Sequence, residues 1–147
     1  LMASIGLRLG EDPDNLRYGK VLIYTDADPD GDAICALLIN FFYKYWPELF
    51  EQGKIYRVMT PIVVATKAKK SINFYSQDEY KEWSSLNDIK GWKTSYKKGL
   101  ASLSDSQYKE IIKNPNLMEL KLDKTSKLEL DSWFGRNSEP RKERLLR

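Results

Sequence analysis

The sequence predicts an α/β fold, a parallel sheet flanked by helices. Three observations carry that expectation. Lys20–Thr25 (Lys-Val-Leu-Ile-Tyr-Thr) is a run of β-branched and aromatic residues of the kind that forms a buried parallel strand. Apolar residues at Ile34, Leu37, Leu38, Phe41, Phe42 and Tyr45 then recur at the i, i+3, i+4, i+7 spacing of an amphipathic helix. Strand-like runs at 54–60 and 62–67, split by Pro61, are followed by two helix-capping patterns, so strands and helices share one chain.

The remaining elements follow in order. Residues 3–9 read as the end of a short helix, and Gly10–Asn15 as a turn rich in Asp, Pro and Gly. Pro47 stops the long helix, because its ring cannot continue the hydrogen-bond ladder. Ser71–Tyr75 is strand-like. Ser76-Gln77-Asp78-Glu79 is a capping-box pattern and predicts a helix through Trp83. Ser104-Asp105-Ser106-Gln107 repeats the pattern and opens a helix that ends at Asn114-Pro115. Leu117–Leu122 alternates like an edge strand. Thr125–Phe134 reads as a helix stopped by Gly135, and the charged tail 138–147 as helical only in context.

Composition narrows the chemistry. Apolar residues make up 41% of the chain and aromatic residues 12%, enough for one folded domain with a real core. The longest apolar run, from Ile34 to Phe42, is too short to span a bilayer, and no secretory leader pattern is present. A single cysteine, Cys35, excludes an internal disulfide and suits a reducing, cytoplasmic compartment. With no histidine, the commonest general base and zinc ligand are missing. Chemistry must run on carboxylates, lysines, hydroxyls or a hard metal ion.

The net charge of +3 says less than its distribution. Asp26, Asp28, Asp30 and Asp32 concentrate acid at alternate positions. Basic residues gather at Lys67, Lys69 and Lys70, at Lys90, Lys93, Lys97 and Lys98 beside Trp92 and Tyr96, and in a tail with Arg136, Arg141, Lys142, Arg144 and Arg147. An acidic focus among basic surfaces suits a cation site acting on a polyanion. The competing explanation is that the lysines are simply solvated faces.

The informative stretch is Tyr24-Thr25-Asp26-Ala27-Asp28-Pro29-Asp30-Gly31, where a strand passes into a helix. Open α/β sheets bind ligands at this place. In extended backbone Asp26 and Asp28 point to the same side and can converge on one cation. Three close carboxylates repel, so without a counter-ion at least one should titrate high; Mg²⁺ removes that cost and prefers hard oxygen ligands. An EF-hand is excluded, because the twelfth residue from Asp26 is Leu37 where a bidentate Glu is needed. A haloacid-dehalogenase-type phosphotransferase also places D-x-D after a strand, but Asp30-Gly31 departs from its usual Thr or Val. A solvent-exposed acidic turn is the structural alternative.

With its flanks, Leu16-Arg17-Tyr18-Gly19-Lys20 and the apolar run leading to Thr25-Asp26-Ala27-Asp28-Pro29-Asp30-Gly31 resembles the "LRYGK…TDxDxDG" signature of the TOPRIM domain in the large (B-type) subunit of type IIA DNA topoisomerases. Pro47-Glu48-Leu49 with Gly53-Lys54-Ile55-Tyr56 is similar to a gyrase B block, and Thr60-Pro61-Ile62 to the eukaryotic and phage "TPI". Lys98-Gly99-Leu100 is similar to the K-G-L-G loop, and Glu139-Pro140-Arg141-Lys142 to the "EPRR" end of gyrase B. The Tyr96-to-Leu100 spacing looks most like T-even phage members, in which the large subunit can be split.

The resemblance implies a Rossmann-like TOPRIM fold over residues 1–135, lacking its first, glutamate-bearing strand, followed by a basic tail at 136–147. It implies one or two Mg²⁺ ions, with Mn²⁺ as the substitute, held by Asp26 and Asp28 with Asp30 as a nearby ligand, and Lys98 approaching the scissile phosphate. Lys97, Lys98, Arg141 and Lys142 would contact double-stranded DNA. The implied partners are the rest of the B-type subunit, with its ATPase domain and the missing glutamate, and an A-type subunit carrying the catalytic tyrosine. A phage protein would work in the bacterial host cytoplasm, and no membrane is involved. The departures are at residues 32–36, where Ala33 and Cys35 replace groups that contact DNA in the family, and at Ala101, which replaces the second glycine of K-G-L-G. Besides a cleavage component, the resemblance allows a non-catalytic assembly module.

Overall fold

A computed structural model describes residues 1–97 and 99–146. Its elements in chain order are α1 (Met2–Ile5), β1 (Val21–Ile23), α2 (Pro29–Tyr45), α3 (Glu48–Glu51), β2 (Ile55–Met59), β3 (Val63–Lys67), β4 (Lys70–Phe74), α4 (Gln77–Leu86), β5 (Lys93–Tyr96), α5 (Asp105–Lys113), β6 (Asn116–Glu119), α6 (Ser126–Phe134) and α7 (Glu139–Leu145). One three-stranded sheet has the order β1-β2-β6 and the other β4-β3-β5. The α/β class is as expected, with one difference: the second sheet is antiparallel throughout. The reason is local. Lys67 and Lys70 pair across a two-residue turn, and only an antiparallel pair can close so tightly.

The chain divides into two compact units, the first made of Leu1–Ile23, Ala36–Tyr56 and Glu119–Arg147, the second of Tyr24–Cys35 and Arg57–Met118. In the first, Leu7, Phe42, Trp46, Leu49, Phe50 and Ile55 are buried. The rings of Phe41 and Phe42 meet edge to face at 5.4 Å, and the Trp46 indole N–H donates to the Glu11 carbonyl at 3.0 Å. That bond removes the cost of burying a polar ring nitrogen. The long helix buries only part of the face its spacing suggests. Phe42 is buried and Leu38 and Phe41 are half-buried, but Ile34 and Leu37 are more than half exposed, while Cys35, off that face, is buried. Because residues 34–39 are apolar on every side, periodicity alone could not choose the face.

The tail acquires its helix from tertiary partners. Arg144 reaches back from α7 to the Glu129 carboxylate of α6 with both amino groups, and Arg141 donates from Nη1 to the Trp133 and Gly135 carbonyls at 3.0 and 2.8 Å. The Arg144 guanidinium holds the Glu129 carboxyl below the usual carboxylate range.

In the second unit, Val63, Ala65 and Phe74 form one face of the β4-β3-β5 sheet, covered by Tyr80, Trp83 and Trp92. Trp83 and Trp92 meet edge-on at 5.2 Å. Helix α4 starts where Ser76 accepts the Glu79 N–H at 3.1 Å, while the Glu79 side chain caps Tyr75 N–H instead of completing the box at Ser76. At α5 the box is complete, with Ser104 and Gln107 exchanging both bonds. The basic segment 90–98 contains β5, which the sequence pattern did not mark as a strand because Lys93-Thr94-Ser95-Tyr96 lacks an apolar alternation.

Candidate metal and nucleic-acid site

The acidic turn lies between β1 and α2, and its backbone is set by two contacts within the second unit. Asp28 caps α2: its Oδ1 accepts the Gly31 N–H at 2.7 Å, and its carbonyl accepts the Asp32 N–H at 2.9 Å. Pro29 follows at the first helical position, where its missing N–H costs nothing. Gly31 is buried directly beneath the Asp26 backbone, and a Cβ there would fall on the Asp26 carbonyl. The turn is therefore built around a glycine that no other residue can replace without moving Asp26.

Asp26 is half-buried, and its Oδ1 accepts the Leu100 N–H at 2.7 Å. Gly99 packs against the same carboxylate, since a Cβ on Gly99 would lie 2.8 Å from Asp26 Oδ2. The loop bearing Gly99 and Leu100 is itself closed by the Leu103 N–H to the Leu100 carbonyl and by Ser102, whose N–H and hydroxyl both donate to the Gly99 carbonyl. Ala101 lies in the short 3₁₀ turn Leu100–Ser102 with ordinary helical backbone, so the methyl that replaces a glycine is accommodated without strain. Asp30 is exposed in the first turn of α2, where the helix dipole favours an anion. The neighbouring Thr25 is buried, and its hydroxyl has no hydrogen-bond partner among the described residues.

Lys97 is half-buried; its N–H donates to the Ile62 carbonyl at 2.8 Å and its ammonium to the Ser102 carbonyl at 3.0 Å. It lines a cleft of about 690 Å³ over the polar face of the antiparallel sheet, with Thr66, Asn73, Ser95 and Ser104. Lys98 lies outside the described residues. The second unit thus contains Asp26, Asp28, Asp30 and Lys97. Arg141 and Lys142 belong to the first, where Arg141 caps α6 and exposed Lys142 pairs with Glu139 at 2.7 Å. Two partners of the turn escaped the sequence reading. Leu100 acts through its backbone, which no sequence pattern shows. Arg57 forms an ion pair with Asp32, and a basic residue inside the apolar run Ile55–Met59 was the available signal. Cys35 is 2% exposed, and burial pushes its thiol up in spite of nearby Arg57.

A divalent ion can be tested against these donors. Among the described residues no three Asp, Glu, Cys or His side chains gather into a cage. Asp26 and Asp28 each have one carboxylate oxygen engaged by backbone N–H and the other without a protein donor among the described residues. That set fits Mg²⁺, which takes one or two carboxylates and keeps water or phosphate elsewhere. It does not fit a closed structural zinc site, which needs four nitrogen or sulfur-rich ligands.

The chain is a mixed α/β protein whose fold is similar to that of a topoisomerase II cleavage domain. A crystal structure of the Plasmodium falciparum topoisomerase II DNA-binding, cleavage and re-ligation domain matches 99% of this chain and 21% of that one, with a TM-score of 0.81 and 30% identity. More particularly, residues 58–147 match the family described as the C-terminal associated domain of TOPRIM, and the chain belongs to that family. It is 44% identical over 104 residues to DNA topoisomerase 2-beta of Gallus gallus, covering 68% of this chain and 6% of that protein. It is 39% identical over 114 residues to DNA topoisomerase 2 of Plasmodium falciparum, covering 75% of this chain and 8% of the relative. The chain therefore spans less than a tenth of the length of these curated relatives. No helix among the described residues is long and apolar enough to cross a membrane.

Proposed function

We propose that the acidic turn is a magnesium-binding element of a type II DNA topoisomerase that works on double-stranded DNA. Asp26 and Asp28 would hold the ion and Asp30 would lie close enough to bind it directly or through water. The observation that carries this reading is the spare oxygen on each of Asp26 and Asp28, on a turn fixed by Gly31 and by the Leu100 N–H. When bound, Mg²⁺ (or Mn²⁺) at such a place neutralises charge that develops on a phosphodiester during strand cleavage and re-ligation.

The residues of this chain then have separable roles. The Leu100 N–H and Gly99 orient the Asp26 carboxylate, and the Asp28 cap holds the start of α2. Lys98 is the candidate for the phosphate itself. Lys97, Arg141 and Lys142 retain N–H donors beyond those used internally and are candidate contacts to the DNA backbone. The attacking tyrosine would come from an A-type subunit, and the remaining glutamate ligand and the ATPase domain from the rest of the B-type subunit. The Tyr96-to-Leu100 spacing is the basis for proposing a T-even phage-like large subunit, and Glu139-Pro140-Arg141-Lys142 for proposing the gyrase B likeness.

A second reading rests on Ala33, which has only a methyl, and on buried Cys35: both leave the α2 start without groups for DNA, as in a non-catalytic assembly module. Reconstitution separates the two. The chain is combined with the remaining B-type fragment and the A-type subunit, and Mg²⁺-dependent DNA cleavage is measured with and without Asp26→Asn. Loss of roughly 100-fold is expected for the mutant, the scale of removing one transition-state charge stabiliser. Equal cleavage by both proteins leaves the assembly role and removes the metal role.

A further inference from the structure

Four carboxylates crowd the start of α2, yet among the described residues only Asp32 has a cationic side chain within ion-pair distance, that of Arg57. The pair is asymmetric. The Arg57 side chain is 22% exposed and rises from β2, whereas the Asp32 side chain is 64% exposed on the first turn of α2. Holding an exposed pair together contributes little to stability. Its consequence is electrostatic: a fixed positive charge beside the turn, and one acid withdrawn from it. The Cys35 thiol feels both members, lowered by the guanidinium and raised by the carboxylate, which places that charge pair against the same two turns of helix.

We infer that Arg57 is a positioning residue for the cation site: it holds Asp32 away and sets the charge with which Asp26 and Asp28 meet a divalent ion. The inference rests on the metal role proposed above. Asp28 and Asp32 stand four positions apart at the start of α2, which sets their Cα atoms about 6 Å apart, and about 8 Å is taken as the scale over which the Asp32 charge acts on the ion. Changing one unit charge at 8 Å from a divalent ion in water alters binding by about fivefold. With Arg57 present, Asp32 is neutralised and the site stays at moderate affinity, which leaves coordination positions for water and phosphate. Without Arg57, Asp32 adds its charge to the turn, and the ion is held more tightly by protein.

The test is Mn²⁺ binding to the full chain, followed by the loss of the free Mn²⁺ electron paramagnetic resonance signal at low ionic strength. Arg57→Gln should tighten binding about fivefold, Asp32→Asn should weaken it about fivefold, and the double variant should return to the wild-type value. Arg57→Lys should restore wild-type affinity, and 0.5 M salt should compress the differences. A merely structural role predicts that Arg57→Gln and Asp32→Asn move affinity in the same direction, and circular dichroism identifies any variant that fails to fold. If Asp26→Asn abolishes binding while Arg57→Gln matches wild type, the role of Arg57 is overturned and the metal reading stands. If neither the wild type nor any variant binds Mn²⁺, or if Asp26→Asn binds as the wild type does, the metal reading falls and takes this role with it.

Discussion

Substituting Gly31 by alanine tests whether the acidic turn is built on a backbone contact. The new Cβ would fall on the Asp26 carbonyl and lie 2.8 and 2.9 Å from the Asp26 carbonyl carbon and nitrogen. None of these atoms is the end of a flexible side chain, so the turn must shift as a unit. Overpacking of a buried position costs about 1–3 kcal/mol. The shift also strains the 2.7 Å bond from the Gly31 N–H to Asp28 Oδ1, and losing a helix N-cap costs about 1 kcal/mol more. The sum, about 2–4 kcal/mol, is a large share of a typical folding free energy and lowers Tm by roughly 5–15 °C. Gly19→Ala is the control, since no heavy atom lies within 4 Å of its added Cβ. It should be neutral or stabilising by up to about 1 kcal/mol, because alanine restricts the unfolded chain. Urea denaturation followed by tryptophan fluorescence gives both midpoints. A Gly31→Ala loss below about 1 kcal/mol with unchanged m-value would refute the close approach.

Ala68 is the only non-glycine residue with positive φ among the described residues, at 53°, in the turn joining β3 to β4. Ala68→Gly should stabilise by about 0.5–1 kcal/mol, the left-handed penalty for a Cβ less the entropy cost of glycine, read from the same urea midpoints. Asp123 accepts hydrogen bonds from Ser126 and Thr125 through both side chains and both backbone N–H groups, which holds its carboxyl down at about 2. Its folded pKa lies below the unfolded value near 3.9, so its contribution is present above about pH 4 and fades as pH falls towards 2. Asp123→Asn should lower the melting temperature at pH 6 and show a shallower decline between pH 4 and 2 than the wild type; parallel curves would show that the carboxylate does not hold the turn ahead of α6.

The order of elements was legible in the sequence because local rules govern it. Capping residues Ser76 and Ser104, the stop at Pro47 and the acidic turn with Gly31 all act within a few residues of themselves, and each structural element they predict is present. The position of the acidic turn between a strand and a helix was legible too, whereas the capping of α2 by Asp28 was seen only in the structure. Tertiary structure decided the rest. Whether Ile34 or Cys35 faces inward is decided by long-range packing, which periodicity cannot weigh when residues 34–39 are all apolar. The strand β5 forms from polar residues because Thr66 and Val64 of β3 offer it an unpaired edge. The Asp26 carboxylate is met by a backbone N–H 74 positions away and Asp32, on α2, by Arg57 from strand β2. A sequence specifies which groups can donate and accept charge; only the folded chain determines which of them come within hydrogen-bonding distance, because that depends on long-range packing.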